Sequence, residues 1–149
     1  MGLIHEDFNN LEYELSFEWM SPVIGRISSP FGYRYSPIHG TMEFHDGVDI
    51  AIPVGTPLVA PRYGYVIATG YSASFGRFLR IAHSDYYETF FAHLNDVPLA
   101  IGDSVEQGER VAYSGNTGWS TAPHLHFSIF RNGQFVDPLD YFSFSEERL

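Results

Sequence analysis

The sequence predicts an all-β (β-rich) fold: an antiparallel sheet or sandwich with Gly/Pro-rich loops and at most short helical turns. Three observations carry this. Ten Tyr and thirteen Phe suit pleated surfaces, while fourteen Gly and nine Pro cut the chain into short pieces. Apolar runs at 57–60, 63–69, 78–83, 89–94 and 111–114 are separated by Gly, Asp and Ser, a spacing that fits an antiparallel meander better than alternating strand and helix. Asn132-Gly133 then stands between two extended stretches, 124–131 and 134–136, as the signature of a two-residue type I′ hairpin turn. A length of 149 residues with 44% hydrophobic content suits one compact domain and is short for two.

In chain order, residues 1–10 read as a tail. Residues 11–19 alternate strictly, with Leu11, Tyr13, Leu15, Phe17 and Trp19 on one face and Glu12, Glu14, Ser16 and Glu18 on the other. This predicts a half-buried strand whose carboxylates discourage edge-to-edge pairing, so an additional N-terminal edge strand is expected within 11–25. A Pro/Gly/Ser-rich loop is expected from about Ser28 to Phe44. A short strand over 47–52 follows, with Gly47, Asp49 and Ala51 on one face and Val48, Ile50 and Ile52 on the other. After the turn at Pro53-Val54-Gly55 come the apolar runs. Asp137-Pro138 opens a last short helical turn over 139–142, and 143–149 reads as a C-terminal tail.

The net charge of −10 excludes nucleic acid as a natural partner, because binding phosphates needs clustered Lys and Arg. The excess is uneven. Residues 1–20 carry five acids and no Arg, while 21–136 hold nine acids against seven Arg, so the body is near balance. Lysine is absent, which removes Schiff-base chemistry and biotinyl or lipoyl attachment. Cysteine is absent too, so any metal must be held by N and O ligands. No run of about 18 apolar residues predicts a transmembrane segment, and the first ten residues lack the basic start and apolar stretch of a secretory signal.

Two polar clusters break the apolar pattern: His45-Asp46-Gly47-Val48-Asp49 and His124-Leu125-His126. Strand parity puts His124 and His126 on one side, and His45, Gly47 and Asp49 on another common side if the chain is extended there. Gly47 would then leave room between the two ligands for a metal. Imidazole nitrogen and carboxylate oxygen are zinc ligands, and three of them with one open position make a hydrolytic site. Taken alone, His5, His39 and His83 read as satisfied polar residues at strand ends. Two imidazoles on an otherwise buried strand are different, since each left without a partner costs about 1–3 kcal/mol.

The motifs Phe31-Gly32-Tyr33-Arg34, His45 to Asp49, Gly55-Thr56-Pro57-Leu58-Val59-Ala60, Phe91-Ala92-His93-Leu94, Gly115-Asn116-Thr117-Gly118, Ser120 to His126 and Asp137-Pro138 occur in this order. As a set they resemble the lysostaphin-type, or LytM-like, zinc metalloendopeptidases, which cleave peptides of bacterial peptidoglycan. The resemblance covers roughly 26–142, expected as the LytM-like zinc peptidase domain, and implies a central groove. It implies Zn²⁺ held by His45, Asp49 and His126, with His93 and His124 as the catalytic pair. It also implies a peptidoglycan peptide substrate and a periplasmic, cell-envelope or extracellular location. Two other functions fit fewer of the residues. A non-catalytic regulator of a cell-wall amidase would not require the complete ligand set, and a phosphohistidine phosphotransfer protein would have no need of His45 and Asp49.

Overall fold

The computed structural model describes residues 18–36 and 39–145. Twelve strands are present among them: β1 (Arg26–Ser29), β2 (Gly32–Ser36), β3 (Thr41–His45), β4 (Val48–Ala51), β5 (Pro57–Val59), β6 (Gly64–Ser72), β7 (Gly76–Ala82), β8 (Tyr87–Asp96), β9 (Ser104–Val105), β10 (Arg110–Ser114), β11 (Leu125–Arg131) and β12 (Gln134–Val136). Each expected apolar run lies largely within a strand. A 3-10 turn, Pro138–Asp140, stands where a helical turn over 139–142 was expected, started by the Asp137 carboxylate accepting from the Leu139 N–H. Asn132 and Gly133 have φ of +52° and +78°, as a type I′ turn requires, and join β11 to β12.

The topology departs from a simple meander. The main sheet runs β1-β4-β11-β8-β7-β6-β9, so β11, from late in the chain, is inserted between β4 and β8. That insertion creates the site: His126 pairs with Asp49 on one side and with Ala92 on the other. The expected loop from Ser28 to Phe44 is also corrected. Most of it is the β2–β3 hairpin, in register from Gly32↔His45 to Ser36↔Thr41, with Arg34 opposite Glu43. The Pro, Gly and Ser at its ends hide two short alternating strands whose opposed charges and Tyr33–Phe44 ring contact favour pairing. The alternating stretch 11–17 lies outside the described residues. Glu18 and Trp19 are not in a strand, and Trp19 packs edge-on against His83, Tyr87 and Tyr141.

Parity across β8 and β11 sorts the two faces. Phe91, Phe127, Leu125 and Ile129 point into a core completed by Leu79, Ile81, Val48, Ile50 and Leu58, all fully buried. Phe144 joins this core from 143–145, the start of the expected tail, and its carbonyl accepts from the Gly25 N–H. The opposite face carries His126, Ser128 and Phe130 along β11, beside Ala92, Phe90 and Glu88 of β8. It is the floor of a groove.

Candidate metal centre

His45 ends β3, Asp49 lies in β4 and His126 in β11, so three elements deliver the three candidate ligands. One donor atom from each lies within 4.8 Å of the others. The Asp49 Oδ1 is the hub, 3.3 Å from His45 Nε2, 2.9 Å from His126 Nδ1 and 3.8 Å from His124 Nε2. The strand parity expected for 45–49 does not hold, because the chain leaves β3 at His45 and re-enters the sheet only at Val48. Gly47 has a different purpose from the one expected. A Cβ there would lie 2.4 Å from the Phe127 carbonyl oxygen, so the missing side chain lets β11 approach and does not make room for an ion.

Hydrogen bonds fix which nitrogen of each ring is free. A carbonyl only accepts, so the His45 Nδ1 donates to Pro30 O (2.9 Å) and the His93 Nδ1 to Thr117 O (2.7 Å). The His124 Nδ1 donates to Ala122 O (2.9 Å), with Ser120 Oγ 3.0 Å away. In the neutral form each of these rings therefore keeps its lone pair on Nε2. His126 differs, with Nδ1 on Asp49 and Nε2 3.2 Å from both Asp46 Oδ1 and Ser128 Oγ. A metal bound through Nδ1 would leave the Nε2–H on Asp46, the outer-shell arrangement that orients a ligating imidazole.

Charge follows this geometry. Burial works against the imidazolium of His126, but hydrogen bonds and charge from Asp46 and Asp49 prevail and raise its pKa to about 9. Burial likewise pushes the Asp49 carboxyl up, and hydrogen bonds from His126 and His45 outweigh it and hold the group well below the carboxylate range. The hydrogen bond to His126 lowers Asp46, with burial opposing. His93 moves down, first through burial and then through the neighbouring His124 and His126, against the Thr117 hydrogen bond. The donor set fits a divalent ion: without one, a proton between Asp49 and His126 carries the compensating charge, and an ion would take over that role.

His93 and His124 sit beside the three donors, ring centroids 4.7 Å apart. Strict alternation in β8 would aim His93 into the core with Phe91. The residue instead has a φ of +62°, its N–H donates to Phe75 O (2.7 Å), and Leu94 takes the buried position. Such an irregularity re-aims a side chain, here into the groove. His83 takes no part: it is fully buried and bonds Tyr63 O (2.9 Å) and Thr89 Oγ1 (2.8 Å). His39 is an exposed partner of Glu43, and His5 lies outside the described residues. Residue reasoning missed Asp46 as a partner of His126, because parity put it on the side away from His45 and Asp49.

Comparison with known proteins shows the family. Peptidase family M23 matches residues 43–138, which contain all five of these groups. Over 116 residues the chain is 43% identical to an uncharacterized metalloprotease of Haemophilus influenzae, covering 76% of this chain and 24% of that protein. Over 134 residues it is 41% identical to the DD-carboxypeptidase/endopeptidase Mpg of Neisseria meningitidis, covering 90% of this chain and 31% of that protein. The chain thus spans a quarter to a third of these curated relatives. A zinc-containing peptidase from Vibrio cholerae has the same fold, with a TM-score of 0.75 at 34% identity over 78% of this chain and 37% of that one.

Proposed function

Because the chain belongs to peptidase family M23, we propose that it hydrolyses peptide cross-links or stem peptides of bacterial peptidoglycan, using zinc held by His45, Asp49 and His126. The observation that carries this reading is the convergence of those three donors with two further imidazoles whose Nε2 atoms are left free by backbone hydrogen bonds. When bound, zinc supplies Lewis acidity toward water and the scissile carbonyl. Two neutral imidazoles and one carboxylate would leave the site a net charge of about +1.

The chain's own residues do the rest. His93 and His124, fixed through Nδ1, act at Nε2: one takes a proton from the attacking water and passes that same proton to the departing amine, and the other stands beside the developing oxyanion. The lowered pKa of His93 supports a neutral, proton-accepting form near pH 7. Asp46 and Ser128 hold the His126 ring in place. Substrates named in relatives such as the Vibrio cholerae peptidoglycan DD-endopeptidase ShyA support a peptidoglycan substrate and, with it, a periplasmic or cell-envelope location. Digestion of purified peptidoglycan by the zinc-loaded chain, with mass spectrometry of the fragments, tests this. Each cut should give one new amine and one new carboxyl end, and chelation should abolish cutting. Intact muropeptides after exhaustive incubation would sink the reading.

A further inference from the structure

Beside the metal centre the groove deepens into a hollow of about 240 Å³ lined by Asp46, Phe75, Arg80, Phe90, Ser128, Phe130 and Phe135. It begins at the outer edge of the His126 ring, since Asp46 and Ser128, both in its wall, meet that ring at Nε2, and Phe75 stacks over it at 6.5 Å. Its floor is a continuous row across the sheet. Ser128 of β11 pairs with Phe90 of β8, which pairs with Arg80 of β7.

Arg80 is the unusual member. Its guanidinium carbon lies 4.3 Å from the Phe130 ring centroid and 5.7 Å from that of Phe90, so aromatic faces hold the planar group in one orientation. Its ion-pair partner among the described residues is Glu88, with Oε1 3.2 Å from Nε. That contact lacks hydrogen-bond alignment and leaves the buried Nε without a hydrogen bond. The terminal nitrogens make no hydrogen bond to any described residue. A guanidinium fixed by stacking, with its outer edge unused and low-dielectric walls around it, suits a bidentate carboxylate. The other charge in the wall, Asp46, is already engaged by His126.

We infer that this hollow is a subsite for a carboxylate carried by a substrate residue flanking the scissile bond, with Arg80 as its partner and the four phenyl rings packing the carbon stem. The inference rests on the peptide-hydrolase reading and deepens it. The carboxylate could be a chain-terminal α-carboxyl or a side-chain carboxyl, and the same guanidinium would take either.

Muropeptides prepared in two matched series, with the terminal carboxyl or the side-chain carboxyl present as acid or as carboxamide, separate these sources. The zinc-loaded chain should prefer the acid in one series by roughly 10- to 100-fold in kcat/KM, the scale of a charge-assisted hydrogen bond. The preference should collapse to near unity in Arg80→Gln. In Glu88→Gln, which removes the competing carboxylate and leaves Arg80 in place, it should hold or rise. Equal rates on acid and amide in both series, a preference surviving Arg80→Gln, or its loss in Glu88→Gln would overturn the inference. If no muropeptide is cleaved, the hydrolase reading fails by itself, and binding still decides the subsite. Titration with N-acetylalanine or N-acetylglutamate α-amide should then shift aromatic proton resonances of the hollow more than the corresponding uncharged amides do, and equal shifts would refute it.

Discussion

Both faces of the central sheet hold histidine, a single buried ring on the core face and a cluster on the groove face, and the two are finished differently. On the core face His83 is enclosed by Trp19, and both its nitrogens are engaged by protein atoms, Tyr63 O and Thr89 Oγ1. On the groove face His45, His93 and His124 each spend one nitrogen on a backbone carbonyl and present the other to neighbours that are also titratable. A closed imidazole contributes to stability alone. A half-closed one is oriented by the fold and keeps a lone pair for chemistry, and three such rings around Asp49 make a site whose purpose is not packing. Composition cannot tell the two apart, because the distinction lies in where the second nitrogen points.

The sharpest way to break this contrast is to remove the groove-face groups one at a time. His45→Ala, Asp49→Ala and His126→Ala should each lose stoichiometric zinc by elemental analysis and, with it, hydrolysis. His93→Ala and His124→Ala should keep zinc while the rate falls by about 10²–10⁴, the usual worth of a proton-transfer group. Zinc lost on His124→Ala but kept on His126→Ala would exchange the assigned roles of the two residues.

The sequence is legible where local patterning decides. The apolar runs, the Asn132-Gly133 turn and the common side of His124 and His126 follow from period-two alternation and turn chemistry alone. The motif set then brought in His93, which no local pattern connects to the rest. What could not be read depends on contacts made by distant segments. Nothing in Val48 to Ala51 or Leu125 to Arg131 says that they pair, and that pairing puts Asp49 against His126. The positive φ at His93 reverses the side an alternating strand would give it, and Gly47 is explained only by the later arrival of Phe127. Asp46 was hidden for a related reason: the chain breaks from strand geometry there, so the parity rule that excluded it had no force.

Asp46 is therefore a good intermediate case between ligand and bystander. It contacts no other candidate ligand as closely as His126, and it acts by holding that ring. Asp46→Asn should weaken zinc binding by about 10- to 100-fold, as outer-shell changes do, with the stoichiometry restored at higher zinc. Competition with a chromogenic chelator measures this directly. An unchanged affinity would show that Ser128 alone suffices to orient the ring.

The metal-free chain should show the same electrostatics through its stability. The pKa of His126 is raised from 6.5 to about 9, so its ion pairs stabilise the fold fully below pH 6.5, and that contribution is lost as pH rises through about 9. Asp46 and Asp49 are lowered from 3.8, so their contribution is present above that pH and is lost as the solution becomes more acidic. The chelator-treated chain should thus unfold at progressively lower temperature between pH 6.5 and 9, and zinc should flatten that decline because it replaces the proton on His126. Thermal unfolding followed by circular dichroism checks this. A melting temperature of the metal-free chain independent of pH over that interval would mean that no such proton is shared.

The smallest functional effect is expected on the core face, and it completes the comparison. His83→Ala removes a fully buried ring and, with it, the hydrogen bonds to the Tyr63 carbonyl and to the buried Thr89 hydroxyl. Unfolding free energy should fall by about 1–3 kcal/mol for each buried group left unsatisfied, with a further cost for the cavity. Zinc stoichiometry and the rate of the folded protein should stay at the parent values, since His83 bonds Tyr63 and Thr89 and packs on Trp19, on the core side of the sheet. Chemical denaturation and zinc analysis on the same preparation make the two readings independent. A fall in zinc content without a fall in stability would mean that the core-face histidine supports the metal after all, and the distinction between closed and half-closed imidazoles would fail where it looks clearest.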